Sequence, residues 1–168
     1  SKPGKRAGVC RLVRHLQNEG IRIDGVGMQS HNGMDHPDLK EYEASIDSFA
    51  TLGVKVSMTE LDINILPQPQ HFNGAGVEQN FEYQKQLNPY ADGLPAKVQK
   101  QLDDRWLAFY NIYKKHASQI ERITLWGLTD GDSWLNDWPV RGRTNYSLLF
   151  DRDYNAKPVV NEIINIFK

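Results

Sequence analysis

Apolar and polar side chains alternate between Val54 and Met58, where Lys55 and Ser57 separate Val54, Val56 and Met58. A period of two predicts a β-strand whose even-numbered side chains face an interior. The strand reads on as Thr-Glu-Leu-Asp-Ile-Asn-Ile to Ile65, so Glu60 and Asp62 continue that even-numbered series. Carboxylates replacing apolar side chains at the end of a buried strand are costly unless partners or function hold them there. Chemistry is therefore expected at this strand end.

Elsewhere the apolar positions follow a helical period. Val9, Leu12, Val13 and Leu16 predict a helix that stops at Gly20, with Cys10 beside the stripe as a small structural hydrophobe. Ile21 to His31 reads as a strand interrupted by glycines, and Gln29 and His31 share a face if it stays extended. Pro37 marks the first turn of a second helix carrying Leu39, Tyr42, Ile46, Phe49 and Ala50 and stopping at Gly53. The Val54 strand follows at once. Three prolines and three glycines between Leu66 and Leu94 predict a long loop, with one helical turn around Glu82 to Leu87. Pro95 opens a third helix with Val98, Leu102, Trp106, Phe109, Tyr113 and Ala117 on its stripe, and Trp106 is expected in the core. Ile123 to Leu128 is a third strand, and Pro158 starts a last helix carrying Val160, Ile163, Ile164 and Phe167.

A helix followed by three strand–helix repeats argues for an α/β fold with a parallel sheet. Gln29 and His31, Glu60 and Asp62, and Trp126 then lie at or just beyond the carboxyl ends of three strands, where such folds place their sites.

Composition narrows the class of ligand. Twenty basic and 21 acidic residues leave a net charge of −1, which gives no general attraction to nucleic acid or anionic membranes. No apolar run approaches a membrane span, and Ser1 to Arg6 is too polar and short for a secretion signal. Cys10 is the only cysteine, and no second histidine or cysteine stands at metal-ligand spacing from His31, so neither a metal nor an organic cofactor is expected. Trp126, Trp134 and Trp138 crowd together with Asp130, Asp132, Asn136, Asp137, Arg141, Arg143 and Asn145. Indole faces pack on the C–H faces of sugar rings while amides and charged groups bond the hydroxyls, so this mixture reads as a carbohydrate cleft.

Four segments in order carry a resemblance: Gly25-Val-Gly-Met-Gln-Ser-His31, Met58-Thr-Glu-Leu-Asp62, Leu125-Trp-Gly-Leu-Thr-Asp-Gly-Asp-Ser-Trp134 and Leu149-Phe-Asp-Arg-Asp-Tyr-Asn-Ala-Lys-Pro158. Together they resemble the sixth, seventh and eighth strand regions of family 10 glycoside hydrolases, the β-1,4-xylanases. The resemblance implies that residues 1–168 form the C-terminal part of a single (β/α)8 TIM barrel, about strands six to eight with flanking helices. It implies Glu60 as nucleophile, His31 as its hydrogen-bonding partner and Asp62 as the carboxylate that holds the histidine. It further implies Trp126 and Trp134 as walls of the sugar site, with Gln29 among the polar groups around the carboxylates. Arg141 is counted with the substrate-binding residues from the cleft composition.

The same resemblance implies that the barrel is completed by an N-terminal segment bearing the acid/base glutamate, because that motif is absent from this chain. The expected activity is retaining hydrolysis of xylan, at an extracellular, periplasmic or cell-surface location inferred from the polymeric substrate. A carbohydrate-binding protein on a degenerate barrel, or a barrel hydrolase for another β-glucan, stays open at this point.

Overall fold

The computed structural model describes residues 2–72 and 78–168. Residues 73–77, inside the expected 66–94 loop, lie outside the described residues. Four helices, α1 (Pro3–Asn18), α2 (Leu39–Ala50), α3 (Ala96–Lys115) and α4 (Val159–Ile166), alternate with strands β1 (Gly25–Met28), β2 (His31–Gly33), β3 (Lys55–Asn64) and β4 (Ile120–Leu125). Every strand pair is parallel, with β3 at the centre between β1 and β2 on one side and β4 on the other. The architecture is the expected α/β one.

Local sequence explains where the elements begin and end. Gly20 and Gly53 close α1 and α2 at φ of 77° and 74°, a left-handed conformation that glycine adopts without a Cβ penalty. Asp38 caps α2 by accepting the Glu41 N–H at 3.0 Å, so the helix starts after Pro37 rather than on it. The third strand lies three residues earlier than expected, ending at Leu125, and Gly127 just beyond it takes φ 135°, which is not a strand conformation. Leu12, placed on the α1 stripe by its period, is 56% exposed, while Val13 is buried.

The core joins Val56, Met58, Leu61 and Ile63 of β3 to Tyr42, Ile46 and Phe49 of α2 and Leu102, Trp106 and Phe109 of α3. Trp106 is fully buried, as expected. Cys10 is half-buried against this core with its thiol 3.8 Å from the Ser48 carbonyl. Among the described residues, no helix is long and apolar enough to cross a membrane.

Two departures from regular sheet geometry shape the site. First, the predicted 21–31 strand is broken: β1 starts at Gly25 and stops at Met28, Ser30 takes φ 70°, and β2 resumes at His31. Second, β3 carries a bulge. Met28 pairs with Met58 and His31 with Asp62, so three steps on one side face four on β3. On the other side, Ile123 to Leu125 takes two steps against three from Met58 to Leu61. Both neighbours thus place one extra residue in β3 between Met58 and Leu61, and an extra residue reverses the facing of everything after it. The core-facing positions change from even (Val56, Met58) to odd (Leu61, Ile63), so Glu60 and Asp62 lie on the face opposite Val56 and Met58. The single even-numbered face expected from alternation is corrected accordingly.

Candidate active site

His31 bridges two carboxylates. Its Nε2 lies 3.0 Å from Glu60 Oε2 and its Nδ1 lies 3.0 Å from Asp62 Oδ2. Asp62 is fully buried, whereas the Glu60 and His31 side chains are each about one-quarter exposed, at 24% and 27%. Burial acts to lower the His31 pKa, but hydrogen bonds and charge attraction from Asp62 and then Glu60 outweigh it and hold the pKa above the ordinary histidine value. The protonated ring can donate from both nitrogens, one to each carboxylate.

Gln29 adds a longer contact, with Nε2 donating to Glu60 Oε1 at 3.4 Å. Backbone pairing holds these groups in register: the Gln29 carbonyl accepts the Glu60 N–H at 2.8 Å and the Ser30 carbonyl accepts that of Asp62 at 3.4 Å. The break between β1 and β2 therefore meets the bulge of β3 directly.

Two indoles flank the histidine. Trp134 lies 4.9 Å from the His31 ring, centroid to centroid, and donates its Nε1–H to Asp62 Oδ2 at 2.8 Å. Trp126 meets His31 edge-on at 6.4 Å and is 45% exposed. Its backbone N–H bonds to the Leu61 carbonyl at 3.0 Å, fixing it just beyond β4. Behind Trp134, Trp138 stacks at 4.6 Å with the planes 17° apart, and Phe72 meets Trp138 edge-on at 5.3 Å. Sequence order placed Trp138 in the aromatic cluster, but its role as backing for Trp134 depends on the turn at Trp134–Asn136, which periodicity does not report.

The polar residues of the same segment divide. Arg141 is exposed and makes no hydrogen bond or ion pair among the described residues. Asp130, Arg143 and Asn145, read from composition as parts of a ligand cleft, are instead buried and turned inward. Asp130 pairs with the Lys157 ammonium at 2.8 Å, and burial pushes its carboxyl up and the ammonium down despite their mutual attraction. Arg143 donates to the carbonyls of Pro67, Leu135 and Trp138 at 3.2, 3.4 and 2.8 Å, and burial lowers its pKa to about 10. Asn145 bonds Asn64 at 2.7 Å. These groups satisfy loop backbone and one another, which keeps the Trp134–Trp138 segment in place.

Chemically, the site offers a partly exposed carboxylate held by histidine and glutamine, a buried second carboxylate that orients the histidine, and aromatic surfaces beside them. It suits nucleophilic attack by Glu60 on a polar, ring-bearing ligand.

Comparison with known proteins identifies the family. Residues 1–166 match the glycosyl hydrolase family 10. The endo-1,4-beta-xylanase A of Xylanibacter ruminicola is 54% identical over the whole chain, which covers 46% of that protein. An endo-1,4-beta-xylanase of Geobacillus stearothermophilus is 34% identical over 98% of the chain and 45% of its own length. A solved endoxylanase of family 10, retrieved from a sugarcane soil metagenome, superposes with a TM-score of 0.93 at 40% identity, covering 98% of this chain and 48% of that one. The chain thus spans about half the length of the curated relatives it matches.

Proposed function

The chain belongs to glycosyl hydrolase family 10, and from that premise we propose that it is the C-terminal part of a retaining endo-β-1,4-xylanase. The observation that carries the reading is the Glu60–His31–Asp62 array, with both imidazole nitrogens 3.0 Å from a carboxylate. A protonated His31 stabilises ionised Glu60, the form needed for attack.

In the first step a Glu60 oxygen attacks the anomeric carbon of a xylosyl unit, and the bond to the leaving oxygen breaks as that oxygen takes a proton from a carboxylic acid. In the second step the same acid, now a carboxylate, removes a proton from water. The water oxygen attacks the anomeric carbon, and Glu60 is released with net retention. Retaining hydrolases place the two carboxyl groups roughly 5–5.5 Å apart. Asp62 does not supply the second one, because it is buried and its Oδ2 already serves His31 and Trp134. The acid/base therefore comes from the other part of the barrel.

Exposed apolar side chains at both flanks support a covering segment there. Leu12 and Ile21 stand out beside α1, and Ile164 and Phe167 beside α4, each more than two-fifths exposed. Gln29, Trp126 and Trp134 contact the sugar next to Glu60, and the exposed Arg141 is counted with the substrate-binding residues. A polymeric substrate places the activity outside the cytoplasm, either secreted, periplasmic or at the cell surface.

The test is Glu60→Gln in the complete enzyme, with a 2-fluoro xylosyl mechanism-based reagent applied to the parent. Hydrolysis of xylan should vanish in the variant, and the label should fall on Glu60. Substantial residual turnover, or a label on another carboxylate, overturns the assignment. A parent that binds xylo-oligosaccharides without cleaving even an activated aryl xyloside would instead be a carbohydrate-binding protein.

A further inference from the structure

Ser30 sits between the two residues that hydrogen-bond Glu60, and it occupies φ 70°, a region that non-glycine residues seldom adopt. Such a conformation persists only where its surroundings over-determine it. Here the surroundings are a chain of hydroxyls. Ser30 Oγ lies 2.7 Å from the Tyr42 hydroxyl, which lies 3.0 Å from the Tyr113 hydroxyl, and both tyrosines are 1% exposed.

Each hydroxyl has one proton to donate, so the direction of the chain is determined by where it can end. Ser30 Oγ can donate to the Met28 carbonyl at 3.3 Å. Tyr113 has no hydrogen-bonding neighbour except Tyr42 among the described residues, so a chain running toward it would strand a buried proton. Donation from Tyr113 to Tyr42, from Tyr42 to Ser30 and from Ser30 to Met28 uses every proton. Burial raises the pKa of both phenols, that of Tyr113 well above its ordinary value, which favours the protonated form of each.

Accepting the role of Glu60 given above, we propose that Tyr42 and Ser30 are positioning residues for the nucleophile. The Tyr42–Ser30 bond ties the strand break to helix α2. The break in turn aims Gln29 and His31 at Glu60 and presents the two carbonyls that receive the N–H groups of Glu60 and Asp62. Tyr113, at the far end, supports the hydroxyl of Tyr42 without touching the break.

This asymmetry supplies the control. In the complete enzyme, Tyr42→Phe and Tyr113→Phe each delete one buried hydroxyl and keep the ring, but only the first cuts the link to Ser30. Tyr42→Phe should lower kcat on a xylo-oligosaccharide by about ten- to a hundred-fold, the scale of an ångström-sized misplacement, with KM little changed. Tyr113→Phe should stay within about three-fold of the parent on that scale. Ser30→Ala should fall with Tyr42→Phe, while Ser30→Gly, which tolerates the left-handed backbone, should recover part of the loss.

Ring 15N shifts of His31 at fixed pH give a readout independent of turnover, and should move in Tyr42→Phe and not in Tyr113→Phe. Equal losses of melting temperature in both tyrosine variants, with kcat and the His31 resonances unchanged in both, would reduce the hydroxyl chain to a packing feature and overturn the proposal. An inactive parent defeats the assignment of Glu60 and still leaves the His31 resonances to judge the hydroxyl chain.

Discussion

The indole of Trp134 and the carboxylate of Asp62 are joined by a 2.8 Å hydrogen bond, to the same Oδ2 that His31 meets at 3.0 Å. Trp134 therefore does two jobs that a ring wall alone would not: it covers one side of the site and restrains the carboxylate that orients the histidine. Trp134→Phe keeps an aromatic surface, removing the donor together with the five-membered part of the indole. Hydrogen bonds to charged groups contribute about 1.5–3 kcal/mol, so denaturant unfolding of the complete enzyme should show a loss of that order. kcat should fall together with it. A variant that loses affinity for xylo-oligosaccharide while keeping parental stability would assign Trp134 to the wall alone.

His31 gives the site a defined pH response. Its folded-state pKa is held above that of the unfolded chain, with the Asp62 and Glu60 contacts outweighing the opposing effect of burial. Protonation of His31 thus stabilises the fold fully below the unfolded value of about 6.5, and that contribution is lost as pH rises through the folded pKa. The stability difference between the parent and His31→Gln, followed by thermal melts from about pH 6 upward, should shrink as pH rises. A difference that grows with pH would mean that the ring is neutral in the folded site.

The extra residue of β3 makes a separate prediction. Deleting Thr59 removes the extra residue, so Met58 to Asp62 then takes three steps, as Met28 to His31 does. Strict alternation then puts Glu60 and Asp62 on the face away from Met58 and keeps Leu61 and Ile63 in the core, the facing the bulge already gives. The deletion variant of the complete enzyme should therefore fold and melt cooperatively, as should Thr59→Ala. A deletion variant that fails to fold while Thr59→Ala folds would show that the bulge does more than offset one residue of register.

Much of this architecture was legible in the apolar periods, since Ile46 and Phe49, or Leu102, Trp106 and Phe109, can share a buried face only on helices. Gln29, His31, Glu60, Asp62 and Trp126 could be placed at strand ends for the same reason. The bulge was not legible, because alternation through Met58 continues numerically into Glu60 and Asp62 and an inserted residue leaves no mark in composition. The break at Ser30 was hidden too, as serine carries no signal for a positive φ and the hydroxyl that holds it comes from Tyr42, twelve residues on. Asp130, Arg143 and Asn145 read as ligand groups because polarity in a sequence looks the same whether its hydrogen bonds run outward to a sugar or inward to a loop.

The last prediction concerns residues 1–168 expressed by themselves. The edge strand β1 pairs only with β3, and its backbone N–H and C=O groups on the other side have no strand beside them among the described residues. Ser57 and Thr59 of β3 lie only half-buried on the face away from the core, and Leu12, Ile21, Ile164 and Phe167 stand exposed at the flanks. Burying apolar area contributes about 25 cal/mol per Å², so covering these side chains stabilises the fold appreciably, and leaving them in water promotes association. The isolated chain should therefore aggregate or melt without a sharp transition, and it should not hydrolyse xylan, since Glu60 lacks a second carboxyl to protonate the leaving oxygen. On the proposed reading, adding the other part of the barrel as a separate polypeptide should restore a cooperative melt and hydrolysis together, since one segment would bring both the sheet neighbours and the acid/base. Should the isolated chain melt cooperatively and cleave xylan, the acid/base would have to lie within these residues, and Asp132 and Asp137, exposed on the segment that carries Trp134, would be the first carboxylates to replace.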